Sequence, residues 1–201
     1  MDKFQGKYRI SSHRLSRWDY SKNGIYFITI VIQNRDCILG EIRNSKMILS
    51  DFGNIVNVEW QKSFDLRNEL FLDEYIIMPN HLHALVVLRN SGNDRDLNVE
   101  THGRASLPPP RDPAFHNLPS FKRKPKSISS FIAGFKSATT SKIDDYIDSH
   151  DLKIPKFNKH NKLWQANYYD HIIRNENEYW QIKQFIKNNP VVWESDKFNE
   201  T

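Results

Sequence analysis

The chain has 201 residues, a formal net charge of +5 and an aromatic share of 12%, a size that suits one domain with its own core rather than two. Its one cysteine, Cys37, excludes an internal disulfide and a cysteine-rich zinc site, and no apolar stretch reaches the length of a signal-peptide core or a membrane span. We therefore expect a soluble, cytoplasmic protein with one domain over residues 1–201, whose positive charge and many aromatic rings suit a polyanion that offers bases to stack on.

The first half of the chain predicts strands around one helix. An apolar and largely β-branched run after the basic N-terminal arm, residues 1–22, is typical of a central strand that is buried on both faces. Ser50 or Asp51 is suited to cap a helix whose apolar contacts come from Ile55, Val58 and Trp60. The predicted elements are a strand at 24–32, a hairpin of 40–42 with 47–49, a helix from position 50 or 51 to about 63, and two strands at 70–77 and 81–88 that form either a hairpin or one strand kinked at Pro79.

The second half predicts a linker, two helices and an extended segment. Residues 90–126 are rich in Ser, Gly, Asn and Pro and carry a basic cluster, so we expect a flexible insertion that buries too little apolar area to order itself. Apolar side chains at helical spacing predict a helix over 127–146, and residues 163–170 predict a strand or extended segment. Asn175, with an acidic residue three positions later, is typical of the N-cap of a last helix, which should end before Pro190. This order of elements indicates an α+β fold, a ferredoxin-like sandwich with an antiparallel sheet and helices mainly on one face.

The tripeptide His81-Leu82-His83 lies within a run that predicts strand on both sides. Because side chains alternate across a strand, both imidazoles project from the same face, and this spacing supplies half of a divalent metal site. The same spacing also occurs in strand histidines that are only packed or hydrogen-bonded. The tripeptide by itself therefore leaves both interpretations open.

Three blocks of the sequence together resemble the REP-associated tyrosine transposases, a branch of the single-tyrosine HUH transposases. These blocks are residues 75–86 around the histidine pair, residues 163–176 in the extended segment, and residues 184–190 at the end of the last predicted helix. The resemblance implies the HUH endonuclease fold and an enzyme that cuts and rejoins single-stranded DNA beside a REP-type hairpin. It also implies a single-stranded DNA hairpin as partner, Mg²⁺ or Mn²⁺ as cofactor, and a monomer.

The resemblance also implies which residues form the site. In that family two histidines and a polar residue of the C-terminal helix hold the metal, and a tyrosine one turn earlier attacks the phosphate to leave a 5′-phosphotyrosine link. Carried over to this sequence, the metal ligands are His81, His83 and Asn189, and the position of the tyrosine is Phe185. Positions 185 and 189 are i and i+4, hence neighbours on one helix face. A mixed imidazole and amide ligand set suits a hard cation with open positions for phosphate oxygens.

Phe185 departs from the family pattern, because phenylalanine has no hydroxyl and cannot form a phosphotyrosine bond. Three explanations stay open: an engineered Tyr→Phe substitution that traps a DNA complex, a natural loss of cleavage with DNA binding retained, or a different nucleophile. The candidates for a different nucleophile are Tyr168, Tyr169 and Tyr179. Tyr179 precedes Phe185 by six residues, about 240° of net helical rotation, which directs it away from Asn189.

Basic and aromatic residues elsewhere in the chain are candidates for DNA contacts. Lysine and arginine side chains supply phosphate contacts, and exposed aromatic rings such as Trp18, Tyr20 and Phe121 can stack on unpaired bases. The alternatives to a transposase are a hairpin-binding protein that does not cleave and a nuclease that activates water at the metal. The candidate phosphate-binding residues are Lys3, Lys7, Arg9, Arg14, Arg17, Lys122, Arg123, Lys124, Lys126, Lys136 and Lys142.

Overall fold

The computed structural model describes residues 19–90 and 125–199, together with the backbone of two short paired strands, β1 (Lys3–Phe4) and β2 (Lys7–Tyr8). Most of the basic arm 1–22 and of the predicted insertion 90–126 lies outside the described residues. In chain order the other elements are β3 (Gly24–Val31), β4 (Gly40–Arg43), β5 (Lys46–Leu49), α1 (Asp51–Asp65), β6 (Leu70–Met78), β7 (His81–Leu88), α2 (Ile128–Ser149), β8 (Tyr169–Ile173) and α3 (Glu176–Asn188), followed by a 3-10 helix (Asn189–Ser195).

Four strands form one antiparallel sheet in the order β6, β7, β3, β8. β3 lies inside the sheet and is largely buried, as its apolar and β-branched composition predicted. β6 and β7 form a hairpin that turns at Pro79 and Asn80, so the hairpin alternative is confirmed over the kinked strand. The predicted hairpin of β4 and β5 is also present, as a separate two-stranded sheet.

Side-chain caps determine where the helices begin. The Ser50 hydroxyl accepts a hydrogen bond from the Gly53 amide at 3.0 Å, and the Asn175 side-chain oxygen accepts one from the Glu178 amide at 2.9 Å. α2 likewise begins directly after a capping serine, Ser127. Each such cap stabilises the protein by ~1 kcal/mol, and the predicted caps of the first and last helices are confirmed. None of the described helices is both long and apolar enough to cross a membrane.

The hydrophobic core lies between α1, α2 and one face of the sheet. Leu82, Ala84 and Val86 of β7 project to this face and belong to the core cluster. They pack with Trp60 of α1 and Phe135 of α2, whose ring centroids are 4.9 Å apart. Burying a large apolar side chain contributes roughly 1.5–3 kcal/mol to folding. Because side chains alternate along β7, the residues next to these three, His81 and His83 among them, project to the opposite face.

α3 packs on that opposite face. Its Phe185 ring lies 6.0 Å from the ring of Phe27, and Phe27 alternates with Tyr26 and Ile28, which belong to the core on the first face. The predicted α+β sandwich with helices mainly on one face is therefore confirmed, with α1 and α2 on that face. α3 is the exception, and it covers the face that carries the histidines.

One local prediction is wrong, and another is confirmed only in part. Val58, which we expected to pack in the core, is 60% exposed, because the buried stripe of α1 runs through Val56 and Trp60 instead. The predicted extended segment 163–170 forms a regular strand only from Tyr169 onward. The pattern of hydrophobic residues alone did not show which side of α1 faces the sheet.

Candidate metal centre

His81 and His83 are buried side by side on the face of β7 that α3 covers. They are 0% and 2% exposed, and their Nε2 atoms are 3.0 Å apart. Strand geometry explains the pairing, since residues i and i+2 project to the same face. The ring centroids are 4.5 Å apart and the ring planes differ by 70°, so the rings meet edge to face. Two imidazole nitrogens thus converge on one point.

The side chain of Asn80 determines which nitrogen of His81 carries a proton. Its amide nitrogen donates to the backbone oxygens of Arg35 at 2.8 Å and Phe198 at 2.7 Å. Its amide oxygen, 2.9 Å from Nδ1 of His81, can therefore only accept. Nδ1 of His81 must carry the hydrogen, which leaves the lone pair on Nε2. This tautomer presents Nε2 to a cation.

Thr29 orients His83 from the neighbouring strand. It is the register partner of His83 across β3 and β7, and its hydroxyl oxygen lies 2.8 Å from Nδ1 of His83. Because a hydroxyl both donates and accepts, two arrangements are compatible with this contact. In one, His83 donates from Nε2 to the Nε2 lone pair of His81. In the other, His83 donates from Nδ1 to Thr29, and both Nε2 lone pairs are available to one metal ion.

Both histidines are held in the neutral form by their surroundings. Burial, followed by the positive charge of Lys197, lowers the pKa of His81 to about 3. Burial also lowers the pKa of His83 well below its ordinary value, with smaller contributions from His81 and Lys197. A metal ligand must be the neutral imidazole. Both imidazoles are therefore neutral at neutral pH, which is the protonation state that a metal ligand needs.

Asp196 brings a carboxylate to the two imidazoles. One ligand atom from each of His81, His83 and Asp196 lies within 4.8 Å of the others, close enough for all three to hold one metal ion. Asp196 follows the 3-10 helix and lines the pocket next to His83. The sequence prediction did not include this residue.

Asn189, which we predicted as a ligand from the resemblance, is fully buried at the start of the 3-10 helix. Neither its amide oxygen nor its amide nitrogen has a hydrogen-bond partner among the described residues. Buried polar atoms are almost always paired, and an exception calls for an explanation such as a bound ion or water. The two neutral imidazoles and the Asp196 carboxylate are a donor set that fits a divalent cation with nitrogen and oxygen ligands, while the role of Asn189 as a further ligand stays a prediction.

A pocket of about 300 Å³ lies beside His83, and Phe185 and Lys197 help to line it. Phe185 is 43% exposed, and its ring lies 5.1 Å from the His83 ring in an edge arrangement. A phenylalanine this exposed is not an ordinary core residue. Its ring borders the pocket next to one of the candidate ligands.

Two of the three alternative tyrosines have hydroxyls committed elsewhere. Tyr168 is 5% exposed within the core on the first face of the sheet, and its hydroxyl lies 3.3 Å from that of Ser129. Tyr179 donates to Asp73 at 2.6 Å and accepts from Lys183 at 3.0 Å. These contacts place neither hydroxyl at the histidine pair.

Tyr169 is placed differently. It is the register partner of Thr29 on β8, and Thr29 is in turn the partner of His83, so the three residues form one row across the sheet on the same face. Tyr169 is 42% exposed, and the Lys197 ammonium lies 5.8 Å from the centroid of its ring. Because Tyr169 lies in the same row as His83, it stays a candidate nucleophile.

Among the described residues, the predicted phosphate-binding side chains do not meet at this pocket. Lys136 donates to the backbone oxygens of Gln165 at 2.7 Å and Asn167 at 2.9 Å, and Lys142 pairs with Asp145 at 3.3 Å. Both lysines lie on α2, which packs on the other face of the sheet. Lys126 is exposed before α2 and Tyr20 packs against the core, while the side chains of Lys3, Lys7, Arg9, Arg14, Arg17, Trp18, Phe121, Lys122, Arg123 and Lys124 lie outside the described residues.

Sequence reasoning missed four residues of this site, namely Thr29, Asn80, Asp196 and Lys197. Asn80 did leave a signal, because a carboxamide directly before a candidate ligand histidine is suited to hold its ring. Asp196 and Lys197 left none, since they follow a short 3-10 helix with no repeating pattern. Tertiary structure alone brings them to the histidines.

Comparison with known proteins identifies a relative with a similar sequence and a solved structure with a similar fold. No protein-family model matches the chain. An uncharacterized protein of Haemophilus influenzae is 34% identical over 186 residues, which are 92% of this chain and 91% of the relative. A REP-associated tyrosine transposase solved bound to a REP hairpin has a similar structure, with a TM-score of 0.52 at 17% identity, over 92% of this chain and 76% of that one. The resemblance predicted from the three sequence blocks is confirmed at the level of the fold.

Proposed function

Because this chain belongs to the same family as the Haemophilus influenzae protein and has the fold of a REP-associated tyrosine transposase, we propose that it acts on single-stranded DNA beside a REP-type hairpin. The proposed chemistry is metal-assisted nicking and strand transfer by an HUH-type site. Phe185 occupies the position of the nucleophilic tyrosine. The chain with Phe185 is therefore expected to bind the hairpin without forming a covalent link.

The observation that carries this proposal is the pair of buried, neutral imidazoles beside an exposed ring. His81 and His83 converge through Nε2 atoms that are 3.0 Å apart, and the Phe185 ring lies 5.1 Å from His83. A purely structural histidine pair would not need a pocket of about 300 Å³ beside it. A ligand pair next to an aromatic ring in an open pocket supports a phosphodiester substrate.

We infer that the cation is Mg²⁺ or Mn²⁺, held by His81, His83 and Asn189, with Asp196 as a further oxygen donor. When bound, a divalent cation polarises the scissile phosphate and stabilises the leaving 3′ oxygen. Asn80 holds His81 in the ligand tautomer, and Thr29 can accept from Nδ1 of His83 in the arrangement that frees its Nε2 lone pair for the metal. A ligand set that includes amide and carboxylate oxygens fits these hard cations better than it fits a structural zinc ion.

The neighbouring side chains favour a phosphate in the pocket. Lys197 lines the pocket beside Phe185 and contributes positive charge there. In a Phe185→Tyr variant the phenolic oxygen would form a bond to phosphorus while the bond from phosphorus to the 3′ oxygen breaks. The products would be a 5′-phosphotyrosine link and a free 3′-hydroxyl, which takes up the proton released by the phenol. Placement of the hydroxyl by α3 supplies the orientation that such an in-line attack needs.

The experiment uses a DNA hairpin with a single-stranded flank, Mn²⁺, and a denaturing gel that separates covalent protein–DNA adducts. The original chain, Phe185→Tyr, Tyr169→Phe and the double variant Phe185→Tyr/His83→Ala are compared. We expect an adduct with Phe185→Tyr alone and none with the double variant. An adduct formed by the original chain and lost in Tyr169→Phe would identify Tyr169 as the nucleophile instead.

Two other functions remain as outcomes of the same gel. Hairpin binding with no adduct from any variant, Phe185→Tyr included, would make the protein a non-cleaving DNA-binding protein. Free cleavage product without an adduct, produced by the original chain, would indicate a nuclease that activates water at His81 and His83. The monomeric state that we expect is checked separately by light scattering of the protein alone.

A further inference from the structure

A second groove, of about 610 Å³, lies on the same face of the sheet as the histidine pair. Its floor is one row of apolar residues that crosses all four strands. Phe71 pairs with Val87, Val87 with Ile25, and Ile25 with Ile173. The volume is within the range of sites for small organic ligands, roughly 300–1,000 Å³.

The wall of this groove is aromatic and comes from the first turns of α3. Tyr179 and Trp180 line it, and their ring centroids are 5.0 Å apart. Trp180 is 50% exposed, and its indole nitrogen donates to Glu176 at 3.4 Å. The Lys183 ammonium lies 5.9 Å from the Trp180 ring. The exposed indole thus has polar contacts to Glu176 and Lys183 and leaves part of its ring accessible to a ligand.

The polar groups at the groove are suited to bind a DNA base and the phosphates next to it. The Asp73 carboxylate accepts from Lys183 at 2.6 Å and from Tyr179 at 2.6 Å, and a carboxylate has about four acceptor sites, so it can also accept from the amino group of a base. Arg174 lines the groove, and the Arg89 guanidinium lies over the Phe71 ring at 5.7 Å. These two cations flank an apolar interior, an arrangement that places phosphates at the edge rather than inside.

We propose that this groove binds one unpaired nucleotide of the DNA, with its base stacked on Trp180 above the apolar floor. The inference rests on the proposed function, because it takes single-stranded DNA as the substrate. The groove and the histidine pocket both lie along α3, since Trp180 and Phe185 are five residues apart, about 7.5 Å along the helix axis and about 140° around it. The groove therefore holds a base of the same strand whose phosphate enters the histidine pocket.

The chemistry of the lining favours a base over the other small groups of DNA. A phosphate would face the carboxylates of Asp73 and Glu176, whereas a base offers a flat π surface to Trp180 and donors to Asp73. Stacking of a base on an exposed aromatic ring is worth about 1–3 kcal/mol. The loss of one such contact should lower DNA affinity about ten-fold.

The test uses fluorescein-labelled DNA hairpins, selected for binding to the original chain from a pool with random single-stranded flanks. Each unpaired nucleotide of a selected hairpin is replaced in turn by an abasic site, and affinity is measured by anisotropy for the original chain, Trp180→Ala and Trp180→Phe. We expect one flank position at which an abasic site costs the original chain about ten-fold and Trp180→Ala nothing. Trp180→Phe, which keeps a ring, should retain most of the effect.

The control variant is Leu66→Ala, because Leu66 is 73% exposed at the end of α1 on the other face of the sheet. It should bind every oligonucleotide like the original chain. If the original chain binds hairpins but no position depends on Trp180, the groove does not hold a base and this inference is wrong. If the selection enriches no hairpin at all, the proposed function itself is wrong, and the groove assignment is overturned with it.

Discussion

The amide oxygen of Asn80 lies 2.9 Å from Nδ1 of His81, and this contact links the tautomer of a candidate metal ligand to the C-terminal segment. The amide nitrogen of the same side chain donates to the backbone oxygen of Phe198, 118 residues further along the chain. The Phe198 ring in turn packs 4.6 Å from the His81 ring. One buried carboxamide thus holds both the histidine and the segment that covers it.

This arrangement predicts that Asn80→Ala weakens metal binding without removing any ligand. The His81 ring would lose its acceptor at Nδ1, and loss of such a supporting contact typically costs about ten- to a hundred-fold in metal affinity. Titration of Mn²⁺, followed by electron paramagnetic resonance, measures the change. Asn57→Ala is the matched control, because the Asn57 amide oxygen accepts from the Tyr75 hydroxyl and its helix, α1, packs on the other face of the sheet. Equal Mn²⁺ affinity in Asn80→Ala and the original chain would contradict the assigned role.

We predict that the buried Asn189 side chain lowers the stability of the metal-free protein. Its amide has no partner among the described residues, and a buried polar group left unpaired costs ~1–3 kcal/mol. Asn189→Leu has a similar volume and removes that cost, so the variant without metal should melt about 2–4 °C higher for each 1 kcal/mol gained. The same variant should lose most of the stabilisation by Mn²⁺, which thermal unfolding with and without EDTA will show.

The neighbouring residue provides the control for Asn189. Asn188 is exposed and makes no side-chain cap, so Asn188→Leu should change stability by no more than about 0.5 kcal/mol and leave the effect of Mn²⁺ intact. A lower melting temperature of Asn189→Leu in EDTA would mean that the amide is satisfied by ordered water and is not poised for a cation.

Two helical glycines are predicted to respond to alanine in opposite directions. A Cβ on Gly53 would lie 2.0 Å from the backbone oxygen of Leu39, so the start of α1 or that backbone must move. Gly53→Ala should therefore destabilise the protein by about 1–3 kcal/mol. A Cβ on Gly134 would meet only the end of the Arg67 side chain at 3.0 Å.

Gly134→Ala should consequently stabilise the protein by about 0.5–1 kcal/mol, because alanine loses less backbone entropy in a helix. Urea unfolding of both variants measures the two effects against the original chain. Because both substitutions add the same methyl group to a helix, comparing them separates the effect of a steric clash from the effect of helix propensity. A gain from Gly53→Ala would show that α1 does not approach Leu39 closely.

Much of the fold could be predicted because its signals are local. The caps at Ser50 and Asn175 are bonds to backbone amides three residues away, and the shared face of His81 and His83 follows from the alternation of side chains in one strand. The position of Phe185 was likewise predicted from the blocks that resemble the transposases. The error at Val58 came from the same kind of reasoning, because residue type does not show how a helix is rotated on its sheet.

What the sequence by itself determined was the set of elements, the orientation of the two imidazoles relative to each other, and the family resemblance that pointed to Phe185 and Asn189. Only the tertiary structure decided that α3 covers the histidine face, that Tyr169 shares a row with Thr29 and His83, and that Asp196 and Lys197 reach the pocket. The reason is physical: periodicity and capping depend on neighbours within a few residues. The contacts of Asn80 and Asp196 instead join atoms more than a hundred residues apart in sequence, which meet only when the sheet, α3 and the C-terminal segment pack together.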